Sequence, residues 1–186
     1  MSLIVEFYYG RVRHTTSNLT IQEIWVKSDN FYLGTHNWIT WLFPSKKRSC
    51  SHDSIVVREE ELEQFKKDPK LREKVLISLE RVFRLYGFTL KLDNGEIQVG
   101  KSLDFKEKSK NWLARGNPNQ NRIARILQSL MLIGFSPIAK KWLTVLNEIY
   151  KDNKIEIGDM MEYWNSSVND PEEWNRGGRY GKAGGW

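Results

Sequence analysis

The chain has 186 residues, a formal net charge of +6, one cysteine and eight tryptophans. This length suffices for one self-sufficient hydrophobic core, and a single cysteine excludes a scaffold built on internal disulfides. The apolar runs span only a few residues and the N-terminus lacks a basic start. We therefore expect neither a membrane helix nor a secretory signal, but an intracellular protein of the cytoplasm or nucleus.

The first part of the chain predicts helices around aromatic side chains. Residues 3–9 are apolar except for Glu6 and suit a short strand or an extended arm packed on helices. A helix is expected over residues 20–27, where apolar side chains recur at helical spacing. Trp38 and Trp41 share one face of a second short helix, which Pro44 ends because proline cannot continue it.

The middle of the chain predicts two amphipathic helices and a hairpin. Residues 58–67 begin with glutamates and end with lysines, a charge order that suits the helix dipole. Residues 69–86 carry the longest apolar stripe after an Asp-Pro start, so we expect this helix at the centre of the fold. The alternation over residues 88–99, with an Asn-Gly pair in the middle, predicts a β-hairpin.

The second half of the chain predicts further helices before its composition changes. Their expected ranges are residues 105–115, 119–133, 137–150 and 156–164. With about seven helices and one small hairpin near residues 88–99, the fold class is an all-α, multi-helix globular domain over residues 1–165. Residues 166–186 are expected to be a flexible tail, because five glycines among the last eleven residues leave little to bury.

Two segments of the chain are similar to motifs of one known family. His36 to Pro44 reads His-Asn-Trp-Ile-Thr-Trp-Leu-Phe-Pro, similar to the His-x-Tyr-Ile-Gln-Trp-Leu-Phe-Pro of the opioid growth factor receptor family. Residues 119–127, Asn-Gln-Asn-Arg-Ile-Ala-Arg-Ile-Leu, resemble that family's His-Asn-x-Leu-Arg-Ile-Thr-Arg-Ile-Leu. Supporting matches lie at Val57–Phe65, Leu85–Phe88 and Asn111-Trp112. The resemblance covers about residues 18–150 and implies the fold of the family's N-terminal conserved region and a peptide ligand.

The two matching segments carry the candidate partner-binding site. Its residues are His36, Trp38, Trp41, Asn119, Arg122 and Arg125. The two arginines share a helical face, and guanidinium groups bind carboxylates through paired hydrogen bonds. The same residues also suit a structural role, in which the arginines satisfy buried carbonyls and the histidine caps a neighbouring helix. We predict a non-enzymatic binding domain of the opioid growth factor receptor type, which engages a peptide or protein partner in a groove between the Trp38–Trp41 helix and the Arg122–Arg125 helix.

A basic segment and the C-terminal tail support an alternative function, nucleic-acid binding. Residues 101–141 hold nine basic and two acidic side chains, a local net charge of +7. The tail interleaves arginine and glycine with aromatic residues, a composition that contacts single strands by charge and stacking. The same charges also suit a solvated surface without a partner. The candidate nucleic-acid-binding residues are Lys110, Arg115, Lys140, Lys141, Arg176, Arg179, Tyr180 and Trp186.

The segment Cys50-Ser51-His52-Asp53 invites a reactive thiol or a metal site. A zinc site needs three or four ligands, and the chain has three histidines and one cysteine with no metal-binding spacing between them. We therefore expect an ordinary polar loop over residues 45–54. The sequence also lacks the motifs of phosphate loops, nucleophile elbows and zinc helices. Catalysis, a cofactor and a metal are accordingly not expected.

Overall fold

The structure is a computed structural model, and it describes residues 2–46 and 54–172. These residues form eleven α-helices and one β-hairpin, which confirms the prediction of an all-α domain. In chain order the elements are α1 (Leu3–Tyr9), α2 (Ile21–Trp25), α3 (Asp29–Gly34), α4 (Trp38–Leu42), α5 (Glu59–Lys67), α6 (Pro69–Tyr86), β1 (Phe88–Asp93), β2 (Glu96–Lys101), α7 (Phe105–Lys108), a 3-10 turn (Ser109–Asn111), α8 (Pro118–Leu132), α9 (Ser136–Asp152), α10 (Lys154–Ile157) and α11 (Met160–Asn169). The number of helices exceeds the predicted number of about seven mainly because of three short helices, α1, α3 and α10.

Residues 3–9 form the helix α1, so the prediction of a strand or an extended arm was wrong. The Ser2 side chain caps the first turn, and Gly10 ends the helix in the left-handed region at φ 76°. Phe7 and Tyr8 are buried. A helix places these rings on one face with the apolar residues of the preceding turn, whereas a strand would divide them between two faces.

The longest helix, α6, lies at the centre of the packing, as predicted. Asp68 caps this helix because its Oδ1 accepts hydrogen bonds from the amides of Lys70 and Leu71, at 2.8 and 3.3 Å. Helices α1, α2, α5 and α7 and strand β1 all pack against α6. The position of α6 therefore organises the first half of the chain.

The predicted hairpin is confirmed as two antiparallel strands, in a register that pairs Phe88 with Lys101. Asn94 and Gly95 form the turn with φ of 47° and 81°, the left-handed values that a tight two-residue turn needs. Strand β2 packs against α9, so the hairpin connects α6 to the second half of the chain.

The helix expected over residues 105–115 is shorter in the structure. Helix α7 ends at Lys108, and the 3-10 turn follows it. Trp112 then turns inward, and its Nε1 donates to the Tyr86 carbonyl at 3.0 Å. This bond satisfies a carbonyl at the C-terminus of α6, and the tertiary contact overrides local helix propensity.

Helix α8 is buried on nearly every side. Twelve of its 15 residues are buried, and α9 and α11 pack against it. Five tryptophans are fully buried in the surrounding core: Trp38, Trp41, Trp112, Trp142 and Trp164. Among the described residues, no helix combines the length and the hydrophobicity that crossing a bilayer requires.

Helix α11 runs to Asn169 and therefore crosses the domain boundary that we expected at residue 165. Just beyond it, the Pro171 carbonyl accepts a hydrogen bond from Gln128 Nε2 at 2.8 Å, which ties this end of the chain to α8. Residues 47–53, most of the predicted polar loop, and residues 173–186, most of the expected tail, lie outside the described residues.

Candidate partner-binding site

Arg122, on α8, joins that helix to the segment between α3 and α4. Its Nη1 donates to the Tyr32 carbonyl and to Asn119 Oδ1, both at 2.8 Å. Its Nη2 donates to the Thr35 carbonyl at 3.0 Å and to His36 Nδ1 at 2.5 Å. Because the guanidinium is a planar fork, one side chain holds four acceptors in a fixed arrangement.

Three of these acceptors have a second donor as well. The Tyr86 hydroxyl donates to Asn119 Oδ1 at 2.9 Å. Trp38 Nε1 donates to the carbonyls of Tyr32 and Thr35, at 3.0 and 3.1 Å. The polar atoms between α8, α6 and the start of α4 therefore form one connected network, in which three of the four acceptors do not depend on the arginine alone.

Arg125 and Trp41 are also buried, one turn farther along their helices. Arg125 Nε donates to the Phe43 carbonyl at the end of α4, at 3.1 Å. Burial lowers the pKa of Arg125 to about 10, against the opposing influence of Tyr163. The Trp41 ring packs edge-on against Phe7, with 4.9 Å between centroids. These two residues therefore fasten α4 to α8 and to α1.

His36 is the exposed member of the predicted set. Arginine can only donate, so the hydrogen bond from Arg122 requires an unprotonated Nδ1 and a neutral ring with its proton on Nε2. Burial of part of the ring, and then the charge of Arg122, lower the pKa of His36 below its usual value. At neutral pH the surface here presents a neutral imidazole held by a cation.

Four of the six predicted residues, His36, Trp38, Asn119 and Arg122, share one hydrogen-bond network, and Trp41 and Arg125 lie one turn farther along α4 and α8. Five of the six are buried. The buried ones are Trp38, Trp41, Asn119, Arg122 and Arg125. Instead of lining a groove, the two arginines bond α8 to the chain around α4, so the expected groove between these helices is closed. This arrangement corresponds to the structural alternative, in which the arginines satisfy buried carbonyls. Of the six, His36 alone is exposed to solvent.

Comparison with known proteins supplies the family. A model of the opioid growth factor receptor (OGFr) conserved region matches residues 2–180. The chain belongs to the opioid growth factor receptor family. The match extends beyond the residues 18–150 that carried the motif resemblance, and it includes residues 166–180 of the expected tail.

The opioid growth factor receptors of Homo sapiens and Rattus norvegicus are 27% and 28% identical to this chain over 133 residues, which is 70% of the chain. That of Mus musculus is 26% identical over the same length. These alignments cover 19%, 23% and 21% of the receptors, so the chain spans about a fifth of the length of the curated relatives it matches. No solved structure matches the chain.

This member of the opioid growth factor receptor family also brings together charged residues that the sequence patterns did not single out. Asp29, at the start of α3, accepts hydrogen bonds from Arg81 at 2.8 Å and from Lys108 at 2.6 Å. Arg81 also donates to the Lys27 carbonyl at 2.8 Å, and its guanidinium lies 4.2 Å from the Tyr32 ring centroid. Burial alone would raise the pKa of Asp29, but the two hydrogen bonds hold it below its usual value. The sequence offered one sign of this cluster, because Arg81 is a cation within the apolar stripe of α6.

Four of the candidate nucleic-acid-binding residues are exposed: Lys110, Arg115, Lys140 and Lys141. Lys110 forms an ion pair with Glu107 at 2.5 Å, whereas the last two lie on α9. The remaining four candidates, Arg176, Arg179, Tyr180 and Trp186, lie outside the described residues.

An open cleft of about 850 Å³ lies between the end of α1 and the start of α6. Both charge signs line it, and its residues are Tyr9, Arg11, Glu60, Glu63, Gln64, Lys67, Asp68, Pro69 and Lys70. Asp68 accepts a hydrogen bond from Tyr9 and caps α6, and Glu63 pairs with Lys67 at 3.0 Å. Within residues 2–46 and 54–172, no three His, Cys, Asp or Glu side chains are grouped as a metal site needs, and Cys50 and His52 fall outside those ranges.

Proposed function

We propose that this chain is a non-enzymatic binding domain of the opioid growth factor receptor type, which engages a peptide or protein partner. The observation that carries the proposal is the family match over residues 2–180, because the curated relatives are named as receptors. A receptor acts by recognising another molecule on a folded surface, and the matched region makes up most of this chain.

The proposed contact lies at His36, with Arg122 as the residue that positions it. Supporting this choice, His36 is exposed and belongs to the segment of the motif resemblance. The buried members of the predicted set have their polar atoms engaged inside the fold, and they stabilise the surface without touching the partner. Their hydrogen bonds give the loop between α3 and α4 a fixed shape, which lowers the entropic cost of binding.

Affinity capture tests this proposal. The immobilised chain is incubated with native lysate, with and without nuclease, and a protein identified by mass spectrometry is purified and titrated by calorimetry. We expect capture that resists nuclease and saturates at one partner per chain. His36→Ala should weaken binding by about fivefold or more, the effect of losing a contact worth about 1 kcal/mol.

Gln98→Ala is the matched control, since Gln98 is exposed on β2 and lies outside the predicted site. It should leave the affinity unchanged. Absence of a nuclease-resistant partner would contradict the binding-domain proposal, and equal effects of the two variants would contradict the placement at His36.

Nucleic-acid binding is a second candidate, favoured by the exposure of Lys140 and Lys141 on α9 and of Arg115 before α8. Such binding should weaken steeply between about 50 and 200 mM salt, because neutralised phosphates release counterions. It should also weaken on deletion of residues 173–186. Fluorescence anisotropy with a labelled single-stranded oligonucleotide measures both effects, and a flat titration at low salt would rule this candidate out.

A further inference from the structure

Cations from three helices and a loop surround residues 27–36. They are Lys27, Arg84 and Lys108, which reach solvent, and the buried Arg81 and Arg122, and together with the exposed His36 we call them the α3 basic surface. The Lys27 ammonium lies 5.9 Å from the Phe31 ring centroid. Burial raises the pKa of the Tyr32 hydroxyl, and the charges of Arg81 and Arg84 act against that rise. Arg84 lies three residues after Arg81 on α6, so the two side chains share one side of that helix.

The acidic side chains near this surface do not balance the cations. Asp29 is the carboxylate in contact with them among the described residues, and it is already shared between Arg81 and Lys108. Glu80 lies one turn before Arg84 on α6, and no ion pair joins the two within the described part of the chain. Even with Glu80 counted, the cations outnumber the carboxylates by five to two.

Arg122 contributes a positive charge that has no carboxylate among its hydrogen-bond partners in the described residues. Its acceptors are two carbonyls, an amide and an imidazole, all neutral. Burial lowers the pKa of Arg122, which reflects the cost of keeping this charge away from water. Other donors also bond to most of these acceptors, so the hydrogen-bond network does not depend on the positive charge of the guanidinium.

His36 stands between Arg122 and solvent. The bond from Arg122 Nη2 to His36 Nδ1 joins a cation to a neutral acceptor, and the ring is exposed. A carboxylate at the same place would add the attraction between opposite charges, which a neutral imidazole does not provide. An acidic side chain can therefore pack beside His36 within the field of Arg122.

We propose that the α3 basic surface docks an acidic peptide segment of the partner, with a carboxylate at the His36–Arg122 position and further carboxylates toward Arg84 and Lys108. The inference rests on the proposed function and names the chemistry of the partner. The charge of the surface supports it, since a patch of one sign steers an oppositely charged partner and excludes a basic one.

The test uses fluorescein-labelled decaglutamate, with decaglutamine as the neutral comparison, in anisotropy titrations at about 50 mM salt, where the Debye length exceeds 10 Å. The variants are Arg84→Glu and Lys141→Glu, which change the net charge equally and alter exposed residues on α6 and α9. We expect decaglutamate to bind, decaglutamine not to bind, and Arg84→Glu to weaken binding by about fivefold or more. Lys141→Glu should weaken it by less than about twofold.

The inference would be overturned if decaglutamate does not bind, or if the two variants weaken its binding equally. It would also be overturned if oligo(dT) displaces the peptide and Arg84→Glu weakens the binding of oligo(dT) as well, because the site would then bind nucleic acid. The binding-domain proposal fails separately. If a nuclease-resistant partner is captured but decaglutamate does not compete with it, the domain binds a partner and the acidic chemistry is wrong.

Discussion

At the scale of single residues, Arg122 serves both the fold and the surface. Its fork bonds to the carbonyls of Tyr32 and Thr35, which fixes the chain between α3 and α4. Its charge also reaches the exposed His36. The geometry of the guanidinium accounts for the first role and its charge for the second, so the two roles can be separated by substitution.

Arg122→Lys keeps the positive charge and removes the fork. A lysine ammonium cannot reach all four acceptors in the same arrangement, so we expect the free energy of unfolding to fall by about 1–3 kcal/mol. Urea unfolding at neutral pH measures this change. Arg84→Lys is the control, because an exposed cation outside the network should change stability by less than about 0.5 kcal/mol. Similar losses in both variants would contradict the structural role of the fork.

The stability of the fold should depend on pH through His36. Burial and the Arg122 charge lower the pKa of this imidazole below the value near 6.5 that it has in the unfolded chain. The unfolded state therefore binds the proton more readily, and the stability that the neutral ring contributes is present above this unfolded value and lost as pH falls through the folded pKa.

His36→Asn removes this titration and keeps an acceptor for Arg122, because the amide oxygen occupies a position similar to that of Nδ1. Between pH 7.5 and 5, we expect the wild-type chain to lose more unfolding free energy than the variant, as measured by urea unfolding. Identical pH profiles would show that the bond to Arg122 does not depend on a neutral His36.

From the sequence, these residues suited both a groove that binds a partner and a structural role in which the arginines satisfy buried carbonyls. His36, Asn119 and Arg122 were grouped by the motif resemblance, and they share one network. Arg122 and Asn119 are buried against the chain between α3 and α4 and against Tyr86 and Asn111, and spacing within one helix does not reveal such tertiary cover. The Asp29 contacts were missed because the partners come from 52 and 79 residues away, so that no local pattern records them.

At the scale of elements, the structure matches the sequence best where periodicity and caps agree. Helix α6 and the hairpin were predicted because an Asp-Pro start and an Asn-Gly turn accompany long, regular patterns. Helix α1 was missed because a short, mostly apolar segment of seven residues suits a helix and a strand equally well. The end of α7 was misplaced because Trp112 leaves the helix to bond to Tyr86.

The turn from α6 into the hairpin predicts a difference between two glycines. Gly87 has φ +85°, and an added Cβ would lie 3.0 Å from the Phe105 backbone and from Lys108 Cβ. Gly95 has a similar φ of +81°, but an added Cβ there would meet nothing within 4 Å. The two positions share the conformational strain that a side chain would cause and differ in the space around them.

We therefore expect Gly95→Ala to cost about 1 kcal/mol of unfolding free energy from backbone strain alone. Gly87→Ala should cost about 2–4 kcal/mol, because the packing of α7 against α6 must also give way. Chemical unfolding followed by circular dichroism compares the two. Equal costs would show that α7 moves freely, which would contradict its close packing at the end of α6.

At the scale of the whole molecule, the tryptophans that mark the sequence lie inside. Of the five fully buried tryptophans, two lie on α4, one on α9, one on α11 and one just after the 3-10 turn. The Phe83 ring centroid lies 4.7 Å from that of Trp142. The fold class was predictable because amphipathic periodicity fixes how many helices need a shared core. The proposed α3 basic surface was not predictable, because cations from α6, α7 and α8 come together there only after folding.

Amide chemical-shift mapping of the isotope-labelled full chain, titrated with decaglutamate, tests the central claim most directly. Binding at the α3 basic surface should shift the amides of residues 27–37 and of Arg84, while those around Lys140 and Lys141 and around the Tyr9 cleft stay in place. Shifts concentrated on α9 or in that cleft, or no shifts at saturating peptide, would contradict it.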